Sequence, residues 1–123
     1  MEFSQLQSYL LSKLASTEDM PFGPECLVYK VCGKMFALVM WQETPIRINL
    51  KADPQQIDLQ RTMFPCITPG YHMNKRHWNT LTINGDLTDA QLTGFIDDSY
   101  RLVVANLTKK QQVVLACQVE KAH

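Results

Sequence analysis

The chain has 123 residues, of which 46% are apolar and 20% charged, and its formal net charge at pH 7 is zero. This length predicts a single domain, and the composition excludes a disordered chain and a strongly basic nucleic-acid binder. No apolar run approaches the roughly 18 residues of a membrane span, and the amino-terminal residues lack the basic and apolar regions of a secretory signal. We therefore expect a cytoplasmic protein without a membrane partner.

The positive charge is concentrated in the middle of the chain. Residues 26–80 contain seven Lys and Arg residues against three Asp and Glu residues, whereas the two flanking segments are net acidic. The four cysteines have neither a CxxC spacing nor the rhythm of metal ligands, so we predict free thiols. They are Cys26, Cys32, Cys66 and Cys117.

The first predicted elements are a helix over residues 4–14 and three strands. The helix follows from apolar residues at spacings of three and four, with Ser4 as its N-cap. Strands are predicted over residues 26–32 and 34–41, joined by a turn at Gly33 and Lys34. A third strand over residues 45–51 alternates, with Arg47, Asn49 and Lys51 on a solvated, basic face.

The second half of the chain predicts two more helices and a strand. Asp53 and Pro54 are typical of a helix start, so a helix is predicted over residues 53–63, followed by a loop to residue 74. A strand over residues 78–83 directs Trp78 outward. Thr88 and Gln91 form a capping-box pattern that opens a helix over residues 88–107.

These elements predict the α+β class, with a single antiparallel sheet and helices packed mainly on one face. The expected order is α-β-β-β-α-β(β)-α. Residues 1–110 form the predicted domain. Residues 111–123 are a C-terminal extension, and from residue 108 the pattern leaves a helix and a strand or tail open as alternatives.

Residues 69–80 concentrate aromatic, basic and imidazole side chains between a proline turn and a strand. Besides the cations and Trp78, this segment contains Pro69, Gly70, Tyr71, His72, Asn74 and His77. It resembles the signature of the MmcQ/YjbR family of small bacterial proteins, and the resemblance continues through residues 21–37, 49–54 and 84–103. It implies a fold similar to bacterial frataxin (CyaY). It also implies DNA binding, because family members carry that description on the basis of a double-wing arrangement; fold analogy alone is a weak argument for function.

The leading functional hypothesis is a non-enzymatic protein that binds DNA through a basic sheet face and residues 69–80. Cations that contact phosphates, beside an aromatic ring that stacks on a base, are typical of such surfaces. The cations are Lys30, Arg47, Lys51, Lys75 and Arg76, and the ring is that of Trp78. With so few cations we expect weak, salt-sensitive binding. The simpler interpretation is that the charges solvate a sheet face and Trp78 packs under a loop.

The two histidines of this segment suggest chemistry at first sight. His72 and His77 are five residues apart, which does not place two ligands on one face, and we expect at least one of them to hold loop backbone. With Cys66 they would make an incidental metal site, or Cys66 would be a nucleophile assisted by His72. We favour neither. No catalytic motif is present, so we expect no enzyme, no cofactor and no metal.

The second hypothesis is a protein-interaction module, in the form of a homodimer or a complex with another protein, without a nucleic-acid role. The chain has more methionine and aromatic side chains than one sheet face can bury, which favours a surface that contacts a protein partner. They are Met35, Phe36, Met40, Trp41, Met63, Phe64 and Met73. Shielding of the second face by loops would explain the same residues.

Overall fold

The computed structural model of the protein describes residues 1–122, and the side chains of residues 1–118. Four helices and six strands follow one another along these residues. Their bounds are α1 Phe3–Ser12, β1 Ser16–Asp19, β2 Leu27–Val31, β3 Lys34–Met40, β4 Arg47–Lys51, α2 Ile57–Met63, β5 Ile67–Pro69, β6 Trp78–Thr82, α3 Asp89–Ala105 and α4 Lys109–Ala122.

The six strands form one antiparallel sheet in the order β1-β2-β3-β4-β6-β5. Helices α1 and α3 pack across one side of it, and α2 lies on the same side against β5 and β6. We call this side the helix-covered face and the other the open face. The predicted fold class is therefore confirmed.

The two faces follow from the alternation of side chains along each strand. In β4, Ile48 and Leu50 enter the large core under the helices, and Arg47, Asn49 and Lys51 belong to the open face. The open face has a smaller apolar cluster of its own, built from Val28, Leu38 and Met40 with Cys26 and Met35 at its margin. The prediction of a solvated face was wrong at Asn49, which is 1% exposed.

Helix starts differ from the predictions because the caps lie elsewhere. Helix α1 has Glu2, not Ser4, at its N-cap, where the Glu2 amide donates to Gln5 Oε1 at 3.0 Å. At the predicted start of α2, Asp53 instead accepts from the Gln55 amide in a local turn, and the helix begins at Ile57. The Thr88 capping box is confirmed.

Strand β1 at one sheet edge was missed, whereas β5 at the other edge is the optional second strand of the expected order. Strand β1 consists of polar residues without a hydrophobic alternation, and β5 is three residues long and ends in Pro69. Both depend on pairing with a neighbouring strand rather than on their own pattern. The β2–β3 turn lies at Cys32 and Gly33, both at positive φ, and not at Gly33 and Lys34.

Residues 109–122 are helical, which resolves the alternative that the sequence left open for them, and residue 123 lies outside the described residues. Helix α4 starts with a reciprocal pair of hydrogen bonds between Thr108 and Gln111. Its Leu115 and the preceding Leu107 are buried in the large core, so the extension packs on the domain. None of the helices in the described part of the chain is long and apolar enough to cross a membrane.

Candidate ligand-binding groove

A groove of about 520 Å³ lies on the open face. Its floor is provided by Met35, Leu38 and Met40 of β3, which is a central strand. Two loops form its walls, one before β2 and one between β5 and β6. Three methionines among the lining residues make an apolar surface that adapts easily to the shape of an occupant. The lining residues are Phe22, Glu25, Cys26, Met35, Leu38, Met40, Gln42, Glu43, Asn49, Tyr71, His72 and Met73.

One wall is the loop of residues 70–77, which we call the motif loop. It forms a wall because it folds back over β4 and β6. The buried Asn49 donates from Nδ2 to the Tyr71 carbonyl at 3.1 Å and accepts from Thr80 Oγ1 at 2.6 Å. Thr80 Oγ1 in turn accepts from the Tyr71 amide at 2.8 Å. This closed network satisfies both buried polar side chains and fixes Tyr71 at the groove.

Close packing at the start of the motif loop requires Gly70. The Gly70 amide donates to the Trp78 carbonyl at 3.0 Å. A Cβ at Gly70 would lie 2.8 Å from Trp78 Cβ and 2.9 Å from the Trp78 carbonyl oxygen, closer than real Cβ contacts. Residue 70 must therefore be glycine for the loop to fold back as it does.

The motif loop is held from the other side by Arg61 of α2, a residue that the sequence analysis did not single out. Its guanidinium donates to Asn79 Oδ1 at 2.7 Å, to the Trp78 carbonyl at 3.2 Å and to the Lys75 carbonyl. Lys75 Nζ donates to the Gly70 carbonyl at 3.0 Å. Arg61 is thus a positioning residue for the loop.

The opposite wall is the loop of residues 20–26, where Phe22 is 69% exposed. The indole Nε1 of Trp41 donates to the Pro24 carbonyl at 2.9 Å and anchors this loop to the end of β3. An exposed phenylalanine above an apolar floor loses contact with water when a ligand enters.

Acidic side chains stand at one end of the groove. Glu43 accepts from Arg47 Nε and Nη2 at 2.5 and 2.8 Å, and the Arg47 guanidinium lies 4.7 Å from the ring centre of Tyr71. These hydrogen bonds hold the pKa of Glu43 below its usual value. Burial raises the pKa of the Cys26 thiol, and the charges of Glu25 and Glu43 raise it further. The end of the groove near Cys26 therefore has negatively charged side chains around it.

The structure divides the predicted nucleic-acid residues into two groups. Lys30, Arg47, Lys51 and Trp78 belong to the open face. Arg47 is paired with Glu43, and Trp78 is partly buried, with its Cβ next to Gly70. Lys75 and Arg76 instead border a separate cleft of about 420 Å³ against α2, together with Arg61 and Asp58. None of the six residues lines the groove.

The metal site and the Cys66 nucleophile, which the sequence analysis did not favour, would need the histidines and Cys66 to lie together. Cys66 is buried in the large core, and burial raises the pKa of its thiol. His72 lines the groove on the other face, at a positive φ of 57°. No group of three or more His, Cys, Asp or Glu residues in the described part of the chain could hold a metal ion. His77, after Arg76, donates its amide to the Asn74 carbonyl at 3.2 Å.

The soft apolar residues also separate by face. Met35, Met40 and Met73 line the groove, whereas Phe36 is fully buried in the large core, which Trp41 and Phe64 border. Met63 is 61% exposed on α2. Sequence analysis missed Phe22, Glu25 and Leu38 as groove residues, because only the folding of two loops over one face brings them together.

Comparisons with known proteins agree with this architecture. The YjbR family model matches residues 11–102. The Escherichia coli O157:H7 "Uncharacterized protein YbdF" is 45% identical over 92 residues, 75% of each chain. The Escherichia coli K12 "Uncharacterized protein YjbR" is 29% identical over 115 residues, 94% of this chain and 98% of that one.

Solved structures extend the agreement to three dimensions. The crystal structure of a Deinococcus radiodurans protein with a DUF419 domain superposes with a TM-score of 0.87 at 36% identity, covering 94% of this chain and 88% of that one. A Pseudomonas syringae crystal structure gives a TM-score of 0.73 at 29% identity, covering 83% of this chain and 98% of that one. The chain belongs to the YjbR family.

Proposed function

We propose that the protein is a non-enzymatic binding protein that takes a small, largely apolar ligand into the groove on the open face. The single observation that carries this proposal is the groove itself. Its volume of about 520 Å³ lies within the roughly 300–1,000 Å³ typical of small-molecule sites. An apolar floor between two loop walls is the usual form of such a site.

The state of the groove's polar groups favours binding over catalysis. Asn49 uses its amide to hold Tyr71, and the Glu43 carboxylate is engaged by Arg47. The raised pKa of Cys26 keeps this residue as a thiol, whereas a nucleophilic cysteine needs a thiolate. The Asn49 and Glu43 side chains thus hold the shape of the groove, and Cys26 is not a thiolate nucleophile.

A titration followed by two-dimensional NMR tests the proposal with the neutral probe 1-naphthylmethanol. We expect amide shift changes at the groove residues. Phe22→Ala and Tyr71→Ala should each weaken binding by about threefold to tenfold, since aromatic contacts contribute about 0.5–1.5 kcal/mol. Leu59→Ala is the matched control, because Leu59 is 59% exposed on α2. Equal weakening by all three variants, or shifts confined to other residues, would contradict the proposal.

Nucleic-acid binding is the second candidate, supported by the cleft that Arg61, Lys75 and Arg76 border. Arg76 and Lys75 are both exposed, so their charges are available to phosphates. Each phosphate contact contributes about −0.9 to the slope of log K against log salt on duplex DNA. Phosphates would meet repulsion at the acidic end of the groove, so this cleft is the better place for them.

Oligonucleotide titrations at low salt separate the second candidate from the first. Lys75→Gln with Arg76→Gln should weaken binding and flatten the salt slope by about 1.8. Lys109→Gln with Lys110→Gln removes two adjacent exposed cations from α4 and serves as the control. If both double variants bind alike, the cleft is not a phosphate site. The dimer of the second sequence hypothesis stays a prediction, which light scattering across micromolar concentrations tests.

A further inference from the structure

We infer that the ligand of the groove is a small organic cation, with an apolar body on the methionine floor and an ammonium-type head near Glu25 and Glu43. This inference rests on the function proposed above and adds the chemical class of the ligand. It follows from the charges of the lining, from their position at one end, and from the state of the sheet backbone beneath the groove.

The charged lining has one sign. Glu25 and Glu43 line the groove, and no Lys or Arg is among the described residues that do so. Arg47 neutralises part of the Glu43 charge and lies against the Tyr71 ring. Glu25 has no ion pair or hydrogen-bond partner among the described side chains. An anionic head would therefore meet the unpaired carboxylate of Glu25, and a cationic head would pair with it.

The carboxylates lie at one end of the groove, and the apolar surface extends from there toward the other end. Both carboxylates come from loops at the end of the sheet where β3 finishes and β2 begins, whereas Leu38 and Met35 continue the floor toward the other end. A ligand that fills the groove thus places one end near the carboxylates and the rest on apolar side chains. This arrangement matches an amphipathic molecule with a single charged end.

The sheet backbone favours a small molecule over an extended peptide. Strand β3 is paired with β2 on one side and with β4 on the other, so the backbone of the floor is already used in the sheet. A peptide that adds to a sheet needs a free edge. The Asn49 side chain, the polar group nearest the middle of the floor strands, is also satisfied. Recognition must therefore come from side chains and from the charge at the end.

Three probes with one apolar body test the inference: 1-naphthylmethylammonium, 1-naphthylmethanol and 1-naphthoate. We expect affinity to fall in that order, by about fivefold at each step, since an exposed ion pair contributes up to about 1 kcal/mol. Glu25→Gln should bring the ammonium probe to within about twofold of the alcohol. Asp98→Asn, which removes an exposed carboxylate from α3, should leave the order unchanged.

The outcomes separate this inference from the function on which it rests. If the alcohol binds in the groove as tightly as the ammonium compound, the cationic head is refuted and the apolar groove stands. A preference for the ammonium probe that survives Glu25→Gln but disappears in Asp98→Asn also refutes it. If none of the three probes shifts groove residues, both the inference and the proposed function fail.

Discussion

The two faces of the sheet are covered by different kinds of structure. On the helix-covered face, α1 and α3 bury a large core in which Phe36, Ile48 and Ile96 are completely inaccessible. On the open face, three buried residues form a smaller cluster, and two of them share the groove with residues of the loops 20–26 and 70–77. The helices cover their face of the sheet, whereas the loops of residues 20–26 and 70–77 cover the open face only in part and leave a groove between them.

The difference shows where stability and binding are located in this domain. A fully packed face contributes free energy of folding through burial but offers no room for a ligand. A face covered by loops buries less and keeps apolar surface within reach of solvent. Tyr71 on the motif loop is 48% exposed although its backbone is fixed by a buried network. The open face therefore combines a defined shape with accessible contact groups.

The largest expected effect comes from truncating one apolar residue on each face. Ile48→Ala should lower the free energy of unfolding by about 2–5 kcal/mol, because it leaves a cavity in the dense core. Leu38→Ala, on the neighbouring strand, should cost only about 1–2 kcal/mol, since Leu38 borders the groove and its truncation leaves no enclosed cavity. Urea unfolding at pH 7 measures both. Equal losses would mean that the open face is packed as tightly as the covered one.

A smaller effect is expected from adding one methyl group on each face. Gly70→Ala should destabilise the protein by about 1–3 kcal/mol, because the new Cβ would meet Trp78 at 2.8 Å. Gly94→Ala in α3 has open space around its Cβ and should stabilise the protein by about 0.5–1 kcal/mol. Thermal unfolding compares the two. A neutral Gly70→Ala would show that the motif loop can move away from Trp78.

The smallest expected effect is on the pH dependence of stability, through Tyr29 on the helix-covered face. Tyr29, fully buried on the helix-covered face, donates its hydroxyl to Glu18 Oε2 at 2.6 Å, and burial followed by this bond raises its pKa above 10.0. The folded state holds the proton more tightly than the unfolded state. This contribution to stability is therefore complete below pH 10 and is lost as the pH rises beyond it, at up to about 1.4 kcal/mol per pH unit.

Urea unfolding of the wild type and of Tyr29→Phe at pH 9, 10 and 11 measures that loss. The decline above pH 10 should be shallower in the variant, which has no hydroxyl to ionise. Parallel curves for the two proteins would show that other groups account for the alkaline decline.

The motif loop shows which parts of the candidate site could be predicted from the sequence. Its composition marked residues 69–80 as unusual, and Tyr71, His72 and Met73 do line the groove. Trp78 was predicted to point outward; it belongs to the open face but is partly buried there. The role of Arg61 was not predicted, because an arginine near the end of a helix has no sequence mark that distinguishes a clamp from a solvated charge.

The sequence by itself determined the elements whose pattern is local. The alternation in β4 and the apolar spacing of α1 each indicate a buried face, because burial repeats with the period of the element. The capping box of α3 marks a helix start through local hydrogen bonds. Only the tertiary structure decided the edge strands β1 and β5, the packing of α4 through Leu115, and the groove. Edge pairing, helix docking and loop placement depend on contacts between residues far apart in the chain, and periodicity along the chain carries no record of them.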